Sequence, residues 1–152
     1  MFRYSSPKNG FLMLSPADFV RLGNSGSTAQ HNINLLGIST TSAAQVCLLA
    51  PVHLPQAATI KQLRAFYKRP APADVIFVMI RRINAMATNS QTVANDAQTQ
   101  APVTPEGAFS YPANAVMNVI NNAQFSYYVH LCIANDAVLM NAHRLQRHEC
   151  RD

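Results

Sequence analysis

Residues 46–83, VCLLAPVHLPQAATIKQLRAFYKRPAPADVIFVMIRRI, restrict this chain to β-structure more firmly than any other part of it. Three apolar runs rich in β-branched and aromatic residues are cut by Pro51, Pro55, Pro70 and Pro72. Proline fixes φ and removes a backbone donor, and with β-branched and aromatic residues enriched between the cuts the runs read as consecutive strands. The rest of the chain carries five more prolines, nine in all. No stretch of about a dozen residues keeps an i, i+3, i+4 apolar pattern without a proline.

Strands are predicted over residues 11–14, 32–39, 45–50, 59–68, 74–83, 116–120, 125–134 and 137–145, with 86–93 at best an outer strand. Residues 101–114, carrying Pro102, Pro105 and Pro112, read as a long connection between sheets. The expected fold is all-β: a single antiparallel β-sandwich, jelly-roll-like, with about eight strands and little or no helix. In 74–83 both faces are apolar, Val75, Phe77 and Met79 on one and Ile76, Val78 and Ile80 on the other, which predicts a central strand covered above and below. In 125–134 the odd positions Tyr127, Val129, Leu131 and Ile133 make an apolar face. Tyr128, His130 and Cys132 occupy the other, so this strand is expected to be half exposed.

A chain of 152 residues suits one domain. Residues 1–24 read as an N-terminal extension, an assembly arm whose FLML segment could add to a neighbour's open sheet edge, and residues 25–152 as the sandwich. Only 12% of residues are charged, where about 25% is usual, while 49% are hydrophobic. Few ions therefore hold one copy away from the next, and the expected partner is a second copy of the chain. No apolar run approaches the ~20 residues needed to cross a bilayer, and residues 1–14 lack the apolar core of a signal peptide. Neither a membrane span nor a signal peptide is expected within this chain. An extracellular or surface-exposed assembly fits the composition, and the compartment stays open.

Chemistry-bearing motifs are sparse. Cys47, Cys132 and Cys150 form no CxxC pattern. Cys47 and Cys132 lie in apolar runs and read as small buried hydrophobes, whereas Cys150, in the polar tail, is a candidate intermolecular thiol in an oxidising compartment. Of His31, His53, His130, His143 and His148, the last two lie in His143-x4-His148-Glu149-Cys150, which lacks zinc-finger spacing, so no metal and no other cofactor is expected. Among the acidic residues only Glu149 and Asp152 lie within four positions of each other, GxSxG, Walker A and GxGxxG are missing, and an enzyme is not expected.

Charge is the sharpest functional signal. Lys61, Arg64, Lys68, Arg69, Arg81 and Arg82 face only Asp74 within residues 61–82, a net of +5; the remainder holds six basic and six acidic residues. If 59–68 and 74–83 form a hairpin, then Lys61, Arg64, Tyr67, Lys68, Arg69, Arg81 and Arg82 make a basic and aromatic binding surface for an anionic glycan, an acidic protein surface or phosphate. The competing reading is a set of solvated rim charges that discourage edge-to-edge sheet pairing.

Ala50-Pro51-Val52, Leu54-Pro55-Gln56-Ala57, Tyr67, Arg81-Arg82 and Tyr127-Tyr128 together resemble a recurrent pattern in uncharacterised bacterial jelly-roll-like β-sandwich proteins, over residues 43–145. Gln56 stands where that pattern prefers glycine, and Lys68-Arg69-Pro70 where it has an aspartate-asparagine turn. The resemblance implies a sandwich fold and carries over no catalytic residue.

Three functions follow in order. The first is a non-enzymatic structural or assembly subunit that self-associates into a homo-oligomer or filament. The second is a carbohydrate- or surface-binding module using Tyr67, Arg69, Tyr111 and Tyr127. The third is a nucleic-acid-associated, capsid-like protein, for which a net charge of +5 is modest.

Overall fold

A computed structural model describes residues 9–22, 32–34, 37–40, 45–68, 75–86, 88–95, 107–134 and 138–147. The strands are β1 (Asn9–Leu14), β2 (Val20–Arg21), β3 (Asn32–Asn34), β4 (Gly37–Ser39), β5 (Val46–Val52), β6 (Thr59–Lys68), β7 (Val75–Asn84), β8 (Ser90–Asn95), β9 (Gly107–Pro112), β10 (Phe125–Ala134) and β11 (Val138–Arg147). One 3-10 turn, Pro16–Asp18, is the sole helical element among the described residues. Its entry is fixed by Ser15 N–H donating to Asp18 Oδ2 at 2.7 Å.

All pairings are antiparallel and fall into two sheets. One runs β3-β4-β11-β6-β9, with β1 also on β11; the other runs β2-β5-β10-β7-β8. From β5 to β11 the chain changes sheet at every connection except β7 to β8. This alternation is the jelly-roll-like sandwich expected from the sequence. Period two decides what lies inside: Val46, Leu48, Ala50 and Val52 of β5, Val78 and Ile80 of β7, and Val129, Leu131 and Ile133 of β10 meet Leu63, Ala65 and Tyr67 of β6. A bulge at Lys61, where Leu145 pairs with Gln62 but Gln146 with Ile60, keeps both Ile60 and Leu63 on the core side.

Several expectations change. Eleven strands are present among the described residues, eight of them six residues or longer. Within the predicted strand 32–39 lie two short paired strands, Asn32–Asn34 and Gly37–Ser39, and β9 lies where a connection was expected. Residues 116–120 contain a turn and a single bridge, Thr59 to Val119. That segment instead zips onto the turn after β5: Ala57 N donates to Ile120 O at 2.9 Å, Ile120 N to Ala58 O at 2.8 Å and Ile60 N to Asn118 O at 2.7 Å. The FLML segment pairs with β11 of its own chain, Phe11 opposite Leu145 and Leu14 opposite Ala142, so it completes this sandwich's own sheet.

β7 lies inside its sheet between β10 and β8 as expected, but it is not covered on both sides. Val78 and Ile80 are buried, whereas Phe77 and Met79 are only half-buried on the outer face.

Candidate functional site: the outer face of the five-stranded sheet

Cross-strand register builds this face row by row. Leu49 of β5, His130 of β10 and Met79 of β7 form one row, extended by the exposed Val20 of β2. Pro51, Tyr128, Arg81 and Thr92 form the next, and Cys47, Cys132 and Phe77 the one on the other side. Five strands at the usual spacing give a surface about 19 Å wide. Most of its side chains are neither buried nor freely exposed, the state of a shallow apolar surface.

Tyr128 shapes it. Its hydroxyl lies 3.0 Å from Ser90 Oγ on β8, two strands away, so the side chain leans across β7. Phe77 meets the His130 ring edge-on, with centroids 5.8 Å apart. Arg81 brings a guanidinium whose Nε is buried with no hydrogen-bond partner, and His130 Nδ1 is in the same state. Burial lowers the His130 pKa, and the charge of Arg81 lowers it further. At neutral pH the ring is uncharged. The face thus offers apolar ring surface beside the half-buried guanidinium of Arg81.

Cys47 and Cys132 are direct cross-strand partners, with Cα atoms 4.1 Å apart, and they are joined in a disulfide. This corrects their reading as free buried thiols. Sequence gave no spacing signal for the pair, because partners 85 residues apart are known only once β5 and β10 are in register.

The basic hairpin does not form. β6 pairs with β11 and β9, and β7 with β10 and β8, so the two strands belong to different sheets. Arg64 is exposed on the outer face of the six-stranded sheet, its guanidinium carbon 4.9 Å from the Phe66 ring centroid, and Lys61 is exposed at the bulge. Lys68 ends β6 in that sheet. Tyr67 is 0% exposed and Tyr127 is buried, its hydroxyl accepting from Asn121 N at 2.9 Å, so neither ring is offered to a ligand. Arg82 points opposite to its neighbour Arg81, over the Phe125 ring at 4.2 Å, with Nε donating to Gln91 Oε1 at 2.7 Å. Arg69, Cys150, His148 and His31 lie outside the described residues. Of the predicted residues whose side chains are described, only Arg81 reaches the candidate face.

Phe77, Met79, Tyr128 and His130 were missing from the sequence-based site. The signal for them was the apolar doubling of residues 74–83 together with the second face of 125–134.

No family model matches the chain, and no curated protein matches it in sequence. The sequence comparisons therefore give no support to the bacterial family specifically; the likeness is structural. A xylan-binding module of carbohydrate-binding family 15 superposes with a TM-score of 0.62 at 7% identity, covering 94% of this chain and 100% of that one. The CBM22-1 xylan-binding domain of Paenibacillus barcinonensis Xyn10C gives 0.53 at 13% identity, covering 92% and 95%. The enzymatically active domain of a tailspike protein from bacteriophage CBA120 gives 0.53 at 9% identity, where 86% of this chain matches 20% of that one. The shared property is the all-β sandwich fold. No helix among the described residues is long and apolar enough to cross a membrane.

Proposed function

We propose that this chain is a carbohydrate-binding module whose ligand lies on the outer face of the five-stranded sheet, with a β-linked plant-type polysaccharide such as xylan as the first candidate. The observation that carries the reading is Tyr128 leaning across β7 toward Ser90, beside half-buried Phe77, Met79, His130 and Arg81. A sugar ring has an apolar face that stacks on such a surface, and a uronate carboxylate would pair with the charge of Arg81. The fold shared with two xylan-binding modules supports the choice of ligand class. Binding of the purified chain to a panel of soluble and insoluble glycans, at low and moderate salt, tests it. Retention on at least one β-linked polysaccharide is expected, and no retention on any of them would end the reading.

Self-association is the second reading, favoured by Phe11 and Met13, 70% and 57% exposed on β1. Light scattering on the Phe11→Ser, Met13→Ser double variant distinguishes it: an oligomer of the parent chain that this variant dissolves supports it, and a parent monomer at high concentration removes it.

A further inference from the structure

The Cys47, Cys132 and His130 side chains each bring a metal-ligating atom to one spot on the outer face, all within 4.8 Å of one another. In the oxidised chain the two sulfurs are bonded to each other. His130 then has no strong hydrogen bond. Its Nε2 lies 3.2 Å from Cys132 Sγ, a weak acceptor, and its Nδ1 is buried without a partner. Nε2 thus has only a weak partner in the oxidised chain, and a metal ion would supply a strong one.

We infer that the reduced chain binds a zinc ion through Cys47 Sγ, Cys132 Sγ and His130 Nε2, and that closure of the disulfide switches this site off. Zinc takes thiolate at about 2.3 Å and imidazole at about 2.0–2.1 Å, so a tetrahedral ion sets its sulfurs about 3.8 Å apart and each about 3.6 Å from the nitrogen. His130 Nε2 and Cys132 Sγ already stand close to that separation. Because Cys47 and Cys132 are opposed across one ladder, the sulfurs can part by side-chain rotation while the strands keep their register. Two thiolates offset the double charge of the ion. Three protein ligands leave a fourth position for water or another oxygen ligand.

The switching step balances with a dithiol as reductant. The Cys47–Cys132 bond accepts two electrons and two protons, the dithiol leaves as its own disulfide, and zinc then displaces the two thiol protons. This inference does not rest on the glycan reading, since it needs only the three ligand atoms.

The test uses the full chain with Cys150→Ser, which removes the third thiol, reduced anaerobically with a phosphine and titrated with Co2+ as a visible stand-in for zinc. One equivalent is expected to give thiolate-to-cobalt charge-transfer absorption that one equivalent of Zn2+ abolishes. The oxidised chain should give none, and His130→Ala in the reduced chain should weaken zinc binding about tenfold or more. If reduction unfolds the chain, zinc should restore its circular dichroism spectrum. Any of three results would overturn the proposal: no charge-transfer band on the folded reduced chain, no refolding of an unfolded one by zinc, or His130→Ala binding as tightly as its parent.

Discussion

The Tyr128 hydroxyl and Ser90 Oγ stand 3.0 Å apart although their strands, β10 and β8, are separated by β7. A tyrosine held at both ends loses little rotamer freedom when a ligand stacks on it, so part of the cost of ordering a binding surface is already met in the free protein. The same tether turns the side chain flat along the sheet instead of outward into water.

Opening the Cys47–Cys132 disulfide should destabilise the chain. The bond closes a loop with a sequence separation of 85, for which chain-entropy arguments give stabilisation on the order of 4 kcal/mol and measured disulfides commonly about 2–4 kcal/mol. The double variant Cys47→Ala, Cys132→Ala is expected to melt roughly 5–15 °C below the parent by calorimetry. An unchanged melting temperature would mean the bond is absent in solution.

Ala57 adopts φ 64°, the left-handed region that costs an L-residue with a Cβ, at the third position of the turn closed by Ala58 N donating to Pro55 O at 3.2 Å. Ala57→Gly should therefore stabilise the chain by about 0.5–1 kcal/mol, read as a shift in urea midpoint with unchanged slope. The neighbouring Asn122 holds the same turn, donating from Nδ2 to Leu54 O and from N to Gln56 Oε1, each at 2.7 Å. Asn122→Ala should cost about 1–2 kcal/mol.

His130 makes stability depend on pH. Burial, then the charge of Arg81, holds its folded pKa below the 6.5 of the unfolded chain. Between those two values the unfolded chain binds more protons, so the stability present above pH 6.5 is lost as pH falls toward the folded value. Urea unfolding from pH 7.5 downward should show this loss, and His130→Gln should flatten the slope relative to the parent. Equal slopes would contradict the assigned environment.

How far the sequence revealed the molecule depended on whether a feature was local. The extents of β6 and β10 were legible because each is an apolar run bounded by turn residues, and the inner face of β10 followed from period two. Partner choice between strands was not local. Residues 59–68 and 74–83 are neighbours in sequence, yet each pairs with strands from the last third of the chain, which put Arg64 and Arg81 on opposite outer faces. Arg81 and Arg82 were read as one basic pair; alternation along β7 separates them, one toward Tyr128 and the other onto Phe125. The doubly apolar β7 was read as doubly buried, whereas its outer residues form the half-exposed surface now proposed to bind sugar. Apolar side chains at a covered core and at a stacking surface look the same until the second layer is known.

The central claim is the location of glycan binding on the five-stranded sheet, and titration calorimetry with the best glycan from the panel tests it most directly. Tyr128→Ala and Phe77→Ala should each weaken binding about tenfold or more, a loss of about 1.4 kcal/mol or greater, while Arg64→Ala on the opposite outer face should leave affinity at the parent value. Parent-like affinity in Tyr128→Ala and Phe77→Ala, or a loss confined to Arg64→Ala, would contradict it.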